Sequence, residues 1–207
     1  MTKLKRLNQF ISEKIQNLTD KPNFLVFYLH RLYPEKKDRI PSNGNISEGI
    51  TIEQFEQFIV YFKERGYHFL TENDLLDSTK KLPKKSILVT FDDGYLNNLT
   101  VGQPILQELG IPATVYVATG FSHGCNMWND RLIDLIGNQQ ITEFNLAALD
   151  LQPAKVSDWA SRRELAYSLI PKIKYQDYQQ RTKIIDQLYA DNHATEAKPK
   201  MMTPEQV

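Results

Sequence analysis

The chain has 207 residues, of which 41% are hydrophobic and 24% are charged. This is the composition of a folded globular protein, and it excludes a chain that is disordered throughout or a bundle of membrane helices. The 25 Lys and Arg residues balance the 25 Asp and Glu residues without forming a basic run, so we expect no nucleic-acid partner.

The N-terminus and the cysteine content predict where the protein works. Cys125 is the one cysteine, so no internal disulfide can form. The longest apolar stretch, 24–29, is far shorter than the roughly 20 residues that span a bilayer, and we expect no integral membrane segment. Residues 1–18 have no unbroken apolar core and no small-residue cleavage site, so they do not resemble a signal peptide. A cytoplasmic location is therefore predicted, with peripheral membrane binding and export left open.

The first part of the chain alternates predicted strands with predicted helices. Residues 1–22 are predicted to form an amphipathic helix that Pro22 ends. Short apolar runs, typical of buried strands, follow at 23–30, 67–71, 86–91 and 112–118. Helices are predicted between them, from a capping-box pattern at Thr51 to Gly66, over 71–77 and 104–109, and then over 128–136. Strands that alternate with helices in this way indicate repeated βα units, and therefore an α/β fold with a parallel sheet or barrel over 23–137.

The rest of the chain has a different pattern. Residues 138–200 are predicted to be a mainly helical insertion and linker, with a helical pattern over 157–189 that is interrupted at Pro171 and a strand, if any, over 141–146. Residues 201–207 contain a cap residue, a proline and a capping-box glutamine, and so begin a helix. Because this helix is only being started at the last residue, we expect the chain to be cut short there.

Two adjacent carboxylates, Asp92 and Asp93, directly follow the apolar run at 86–91. Active sites of α/β sheets and barrels gather at the carboxyl ends of strands. Gly94 lets the backbone turn at once, so both acids can face one crevice. Two carboxylates that close repel each other unless a cation lies between them. The pair therefore suits one Asp as a metal ligand and the other as a general base acting on water.

Two other interpretations of this pair stay open at this point. Asp-Gly is a common turn pair and Asp is a common helix cap, so the residues also fit a structural role. A receiver-type acid pocket is a further alternative, but it needs an acceptor Asp after a later strand and a Lys beyond it. Neither residue follows the predicted strand at 112–118.

The segment ILVTFDDGY, which contains Asp92 and Asp93, resembles the first motif of the polysaccharide deacetylases, the family that shares the nodulation (NodB) deacetylase homology domain. Further segments fall where that family places them: the strand with a Tyr and a His separated by one Leu at 27–31, GYHFLT, LGIPATVYVATG, MWNDR and the tail MMTPEQV. The resemblance covers roughly residues 23–137 and the tail, and the segments together are specific where each alone is weak.

This resemblance implies a metal-dependent hydrolase that removes acetyl groups from a polysaccharide or glycan intermediate. In the family motif the first Asp is the general base and the second is a metal ligand, positions held here by Asp92 and Asp93. The implied metal is divalent and usually zinc. The implied fold is a distorted barrel of βα units, of which this chain holds the N-terminal portion, followed by the helical segment.

The sequence departs from the family in its histidines. The family completes its metal site with a His-x-x-x-His pair, whereas His30, His68, His123 and His193 have no such spacing, and the family's later Arg and His motifs are absent too. Catalytic zinc normally has three protein ligands. We therefore predict that this chain alone is inactive. The alternative is a non-catalytic remnant that binds glycan, or that needs a complementing C-terminal chain.

His30 and Tyr95 are the two candidates for the rim of the site. His30 lies at the end of the first predicted strand, where it can face the crevice near Asp92 or serve as an ordinary core or rim histidine. Tyr95 can line a sugar site or simply pack beside the helix that follows. The sequence leaves both pairs of alternatives open.

Overall fold

The computed structural model of the protein describes residues 23–33 and 50–207. The helix predicted over 1–22 lies outside these residues. The strands are β1 (Asn23–Leu29), β2 (Leu32–Tyr33), β3 (Ile50–Thr51), β4 (His68–Leu70), β5 (Lys85–Asp93), β6 (Thr114–Val117), β7 (Glu143–Phe144) and β8 (Ala154–Lys155). The helices are α1 (Ile52–Glu64), α2 (Glu72–Leu76), α3 (Gln103–Leu109), α4 (Trp128–Gly137), α5 (Trp159–Lys174) and α6 (Tyr178–Asp191).

Strand β5 is the centre of a parallel sheet. It pairs with β1 along one edge, while β4 pairs with its first half and β6 with its second half on the other. Its apolar run is buried on both faces, as expected of a strand inside a parallel sheet. These strands and the helices between them confirm the predicted α/β fold with parallel strands.

Helix α1 covers one face of this sheet. Thr51 caps it with the predicted capping box, in which the Gln54 side chain accepts from the Thr51 amide at 3.0 Å. Phe55, Ile59 and Phe62 recur at three- and four-residue steps and are fully buried. They pack in one apolar cluster with the β5 side chains that face the helix, which are Ile87, Val89 and Phe91.

Strand β1 is covered on one face only, so the prediction of a buried strand at 23–30 is wrong for its other face. Phe24, Val26 and Tyr28 are 44%, 51% and 69% exposed. The alternate side chains, such as Phe27, pack into the cluster beneath α1. Among the described strands β1 pairs with β5 alone, and side chains that alternate along an edge strand reach opposite faces of the sheet.

The second half of the described chain has its own apolar core, formed mainly by α4, α5 and α6. A short antiparallel hairpin of β7 and β8 lies beside these helices. Strand β8 was not predicted, because two residues are too short to show a strand periodicity.

Helix α5 runs through Pro171 without a break, so the predicted interruption there is wrong. A proline inside a helix removes one amide hydrogen bond and costs about 3 kcal/mol. Leu169 and Ile173, on either side of Pro171, are fully buried in the helical core. Packing of this face outweighs the local preference of the proline.

The C-terminal residues fold as their capping pattern predicts. Thr203 forms a capping box with Gln206, whose side chain accepts from the Thr203 amide at 2.9 Å, and a 3-10 turn covers Pro204–Gln206. In the described ranges, none of the helices combines the length and the apolarity that crossing a membrane requires.

Candidate active site

Asp92 and Asp93 are the last two residues of β5 and lie at the carboxyl edge of the sheet. In the register with β6 they stand opposite Tyr116 and Val117. Strand β1 ends at the same edge, and His30 follows it directly. The parallel arrangement therefore brings the predicted acids and the predicted histidine to one end of the sheet.

His30 and Asp93 lie within ion-pair distance of each other. The His30 Nε2 atom lies 3.8 Å from the Asp93 Oδ2 atom. The His30 side chain is 46% exposed and the Asp93 side chain 26%, so both are open to solvent and to a ligand. His30 was predicted near Asp92; the structure places its ring beside Asp93, the residue at which the backbone leaves the strand.

A tight turn at Asp93 and Gly94 shapes this edge. Their φ angles are 73° and 78°, in the left-handed region. Asp tolerates this region better than most residues, and glycine adopts it freely. A Cβ atom on Gly94 would lie 2.9 Å from Cγ1 of Val117. Gly94 is thus required both by the backbone angle and by the close approach of β6.

Burial raises the pKa of Asp93 above its ordinary value, His30 opposes this shift, and Asp92 adds to it. Burial acts in this direction because it disfavours the charged carboxylate, and a neighbouring carboxylate has the same effect. A positive group beside Asp93 therefore stabilises its ionised form. His30 is placed to do this when it is protonated, and a bound cation would do the same.

Tyr95 lies in the interior, where it is only 4% exposed. The guanidinium carbon of Arg31 is 3.9 Å from the centre of the Tyr95 ring. Arg31 in turn pairs with Asp130 of α4, Nη2 to Oδ1, at 2.5 Å. Tyr95 therefore packs next to the turn, and the pKa of its phenol is raised by this burial.

Sequence reasoning missed Arg31 and Asp130. Asp130 is 2% exposed in α4, a helix that also buries Leu132 and Ile133. A carboxylate on a buried helix face needs a partner. An Asp in the apolar pattern of this helix could therefore have predicted a buried charge at Asp130. The pattern does not identify Arg31 as its partner, because the two residues are far apart in the sequence.

The remaining histidines and the cysteine do not join the site. His68 begins β4 and is exposed, and His123 and Cys125 lie exposed in the loop after β6. Trp128 packs against the helical core.

The described residues do not make a complete zinc site. Across 23–33 and 50–207, no group of three or more His, Cys, Asp or Glu side chains is placed to hold a metal ion. Asp93 and His30 bring two donor atoms together, whereas catalytic zinc normally takes three protein ligands. A carboxylate and an imidazole are both suitable zinc ligands, but two of them are too few to complete the site.

Comparison with known proteins confirms the resemblance to the polysaccharide deacetylases. Residues 79–145 match the family model described as "Polysaccharide deacetylase". A poly-beta-1,6-N-acetyl-D-glucosamine N-deacetylase of Staphylococcus aureus is 30% identical over 126 residues, which are 60% of this chain and 40% of that protein. This chain thus spans less than half the length of this relative.

Two solved structures are similar to part of this chain. A de-N-acetylase of Aggregatibacter actinomycetemcomitans has a TM-score of 0.43 and 18% identity, with 70% of this chain and 51% of that chain covered. IcaB of Ammonifex degensii has a TM-score of 0.41 and 17% identity, with 89% of this chain and 93% of that chain covered.

Proposed function

Because residues 79–145 match the polysaccharide deacetylase family, we propose that this chain is part of a metal-dependent hydrolase that removes acetyl groups from an N-acetylated glycan. The observation that carries the proposal is the position of the motif's two acids. Asp92 and Asp93 end β5 at the carboxyl edge of the sheet, and His30 lies 3.8 Å from Asp93.

The reaction is hydrolysis of an amide. Water adds to the acetyl carbonyl, the carbon–nitrogen bond breaks, and the products are acetate and the free amino sugar. Asp92 is the proposed general base that takes a proton from the attacking water. The nitrogen that leaves gains one proton, which balances the proton that the attacking water gives up.

Asp93 is the proposed metal ligand, with His30 at the rim beside it. A divalent metal such as zinc supplies a Lewis acid for the carbonyl oxygen when it is bound. The described residues provide too few donors to hold it tightly, so the remaining ligands must come from elsewhere. In this proposal residues 23–33 and 50–207 are inactive by themselves.

The proposed substrate is a polymer or oligomer of N-acetylglucosamine. The support for this class is the printed name of the Staphylococcus aureus relative, a poly-beta-1,6-N-acetyl-D-glucosamine N-deacetylase. The identity of 30% over 126 residues supports the class of substrate more than the particular linkage.

A second candidate function is glycan binding without turnover, alone or together with a complementing chain. The incomplete donor set at Asp93 and His30 favours this alternative. The two functions differ in one respect: replacing Asp92 or Asp93 with Asn abolishes hydrolysis, but it leaves the affinity of a non-catalytic binding protein unchanged.

Acetate release by the native gene product tests the proposal. The substrate is a β-1,6-linked N-acetylglucosamine oligomer, and acetate and free amines are counted in the same sample. We expect equal amounts of both, loss of activity with a chelator, and recovery on adding zinc. The Asp93→Asn variant should not recover at the same zinc concentration.

Asp150→Asn is the matched control. Asp150 is exposed, lies outside the site and has a φ of 55°, a conformation that Asn also tolerates. It should release acetate at the wild-type rate. Absence of acetate from every N-acetylated glycan tried, or full activity in the Asp93→Asn variant, would overturn the proposal.

A further inference from the structure

Residues 196–202, called the strap here, run from the helical core to the Asp92–Asp93 turn. The strap begins next to α4 and ends against β5. Its last residues, Met201 and Met202, are 4% and 5% exposed.

The strap forms backbone hydrogen bonds on both sides of Tyr95. The amide of Leu96 donates to the carbonyl of Lys200 at 2.7 Å, and the amide of Met202 donates to the carbonyl of Gly94 at 2.9 Å. Tyr95 and Met201 form the antiparallel bridge between them. The strap thus fixes the backbone immediately after the two acids.

Asn126 holds the strap in place with three hydrogen bonds. Its Nδ2 atom donates to the carbonyls of Ala197 and Lys198 at 3.3 and 3.1 Å. Its Oδ1 atom accepts from the amide of Lys200 at 2.8 Å. Met127 occupies the N-cap position of α4, and the side chain of the preceding Asn126 binds the strap.

Helix α4 supplies two further anchors. Lys200 Nζ lies 2.6 Å from both carboxylate oxygens of Asp134. The Nε atom of Arg131 lies 2.7 Å from Oε1 of Glu196. Helix α4 therefore holds the strap at both of its ends.

We propose that Asn126 is a positioning residue that, through the strap, holds the turn at Asp93 and Gly94 in its left-handed conformation. The turn has φ angles of 73° and 78° at Asp93 and Gly94. Such a backbone persists only when its surroundings determine it. The strap provides this constraint on one side, and β6 provides it on the other through the amide of Ala118, which donates to the carbonyl of Asp93 at 3.0 Å.

Amide hydrogen exchange tests the inference without substrate or metal. In the Asn126→Leu variant we expect the amides of Leu96 and Met202 to exchange at least about tenfold faster, because the strap opens locally. Amides of β5 that pair with β1 should keep their wild-type rates. Equal acceleration at every amide would mean global destabilisation and would overturn the inference.

Asn192→Leu is the matched control. Asn192 also makes three side-chain hydrogen bonds to backbone: Nδ2 to the carbonyls of Asn145 and Leu188 at 2.9 and 2.8 Å, and Oδ1 to the amide of Asn145 at 2.8 Å. These bonds lie within the helical part. The variant should leave Leu96 and Met202 unchanged, and if it accelerates them as Asn126→Leu does, the assigned role of Asn126 is wrong.

Lys200→Ala provides a second route if Asn126→Leu fails to fold. It removes the ion pair with Asp134 and keeps the backbone of the strap. We expect faster exchange at Leu96 and Met202, with rates restored toward the wild type in Lys200→Arg. Unchanged exchange in Lys200→Ala would count against the strap as the constraint.

The catalytic part of the inference rests on the proposed function of the turn. In the native gene product, Asn126→Leu should lower kcat at least about tenfold while KM changes little, because misplacing a reacting group affects the chemical step. An altered exchange pattern with no acetate release in any variant would contradict the proposed function and leave the role of the strap standing. An unaltered exchange pattern in an enzyme that releases acetate would contradict the role of the strap and leave the proposed function standing.

Discussion

Arg31 and Asp130 form a buried ion pair, with Nη2 and Oδ1 2.5 Å apart and the two side chains 7% and 3% exposed. Arg31 follows His30 at the end of β1, and Asp130 lies in the first turn of α4. The pair links the sheet to the helical part, next to the Tyr95 ring. It is therefore a structural support of the candidate site.

Replacing one partner of this pair should be more destabilising than replacing both. Asp130→Leu leaves the buried guanidinium of Arg31 uncompensated, which typically costs about 3–5 kcal/mol. The double variant Arg31→Met, Asp130→Leu removes both charges and should lose less. Urea unfolding of the three proteins gives these free energies. A single variant as stable as the wild type, or a double variant less stable than both single variants, would contradict this interpretation.

Gly94→Ala should be more destabilising than the same change at Gly110. Both glycines have positive φ angles, 78° and 64°, but only Gly94 has a close neighbour, with Val117 Cγ1 2.9 Å from the added Cβ. The angle alone costs about 1–2 kcal/mol at either site. Thermal unfolding of both variants measures the difference.

Val117→Ala isolates the contact in this comparison. Measured against Val117→Ala alone, Gly94→Ala should then lose less stability than it does in the wild type, because the contact with Cγ1 is gone while Cα and Cβ of residue 117 stay 3.3 Å from the added Cβ. If Gly94→Ala and Gly110→Ala lose equal stability, the close approach of β6 to the turn is not an energetic constraint.

Arg162 should be essential to the helical part. It is 6% exposed, and its guanidinium donates to the carbonyls of Ile136, Asn138 and Ile141 at 2.7, 3.0 and 2.8 Å. Arg162→Met removes this donor from all three carbonyls. The carbonyl of Asn138 keeps the amide of Ile141 at 3.1 Å, so the main loss is expected at Ile136 and Ile141, at about 1–3 kcal/mol for each one that stays buried and unpaired.

The neighbouring Arg163 is the control for this change, because it is exposed. In urea unfolding, Arg163→Met should lie within about 0.5 kcal/mol of the wild type. Equal effects of the two substitutions would show that the carbonyl contacts of Arg162 add no stability.

Asp74 should make the stability of the chain depend on pH in the acid range. Hydrogen bonds from Lys80 and Thr71 lower the pKa of Asp74 to about 2. A folded-state pKa below the unfolded one means that the charged carboxylate stabilises the fold above about pH 4. This contribution is lost as the pH falls from about 4 to about 2.

Asp74→Asn removes this dependence. Measured between about pH 6 and pH 2, the difference in Tm between the wild type and the variant should shrink as the pH falls. A difference that is constant over this range would show that Asp74 has the same pKa in the folded and unfolded chains.

The sequence predicted the sheet and the place of its acids because the relevant signals are local. The apolar run before Asp92 has no polar interruption, and Gly94 follows the acids at once. A buried strand and a tight turn can both be inferred from such neighbours. The exposed face of β1 could not be inferred, since an apolar run looks the same with one face covered or two.

The support around the site was missed because its contacts join distant parts of the chain. Tyr95 pairs with Met201, and Arg31 pairs with Asp130. No periodicity connects such residues, and a side chain like Asn126 fits a helix cap as well as a strap anchor. Local patterns predict elements, but tertiary packing decides which polar groups meet.

The most direct test of the account is the rate of acetate release by the Asp92→Asn variant of the native gene product, with glycan affinity measured on the same sample. Loss of a general base typically lowers kcat by about 10²–10⁴-fold. If Asp92 is the general base, we expect a loss of this size with the oligomer still bound at wild-type affinity. The Asp150→Asn variant should keep wild-type activity. Wild-type turnover by Asp92→Asn would contradict the assignment of this turn as the catalytic site.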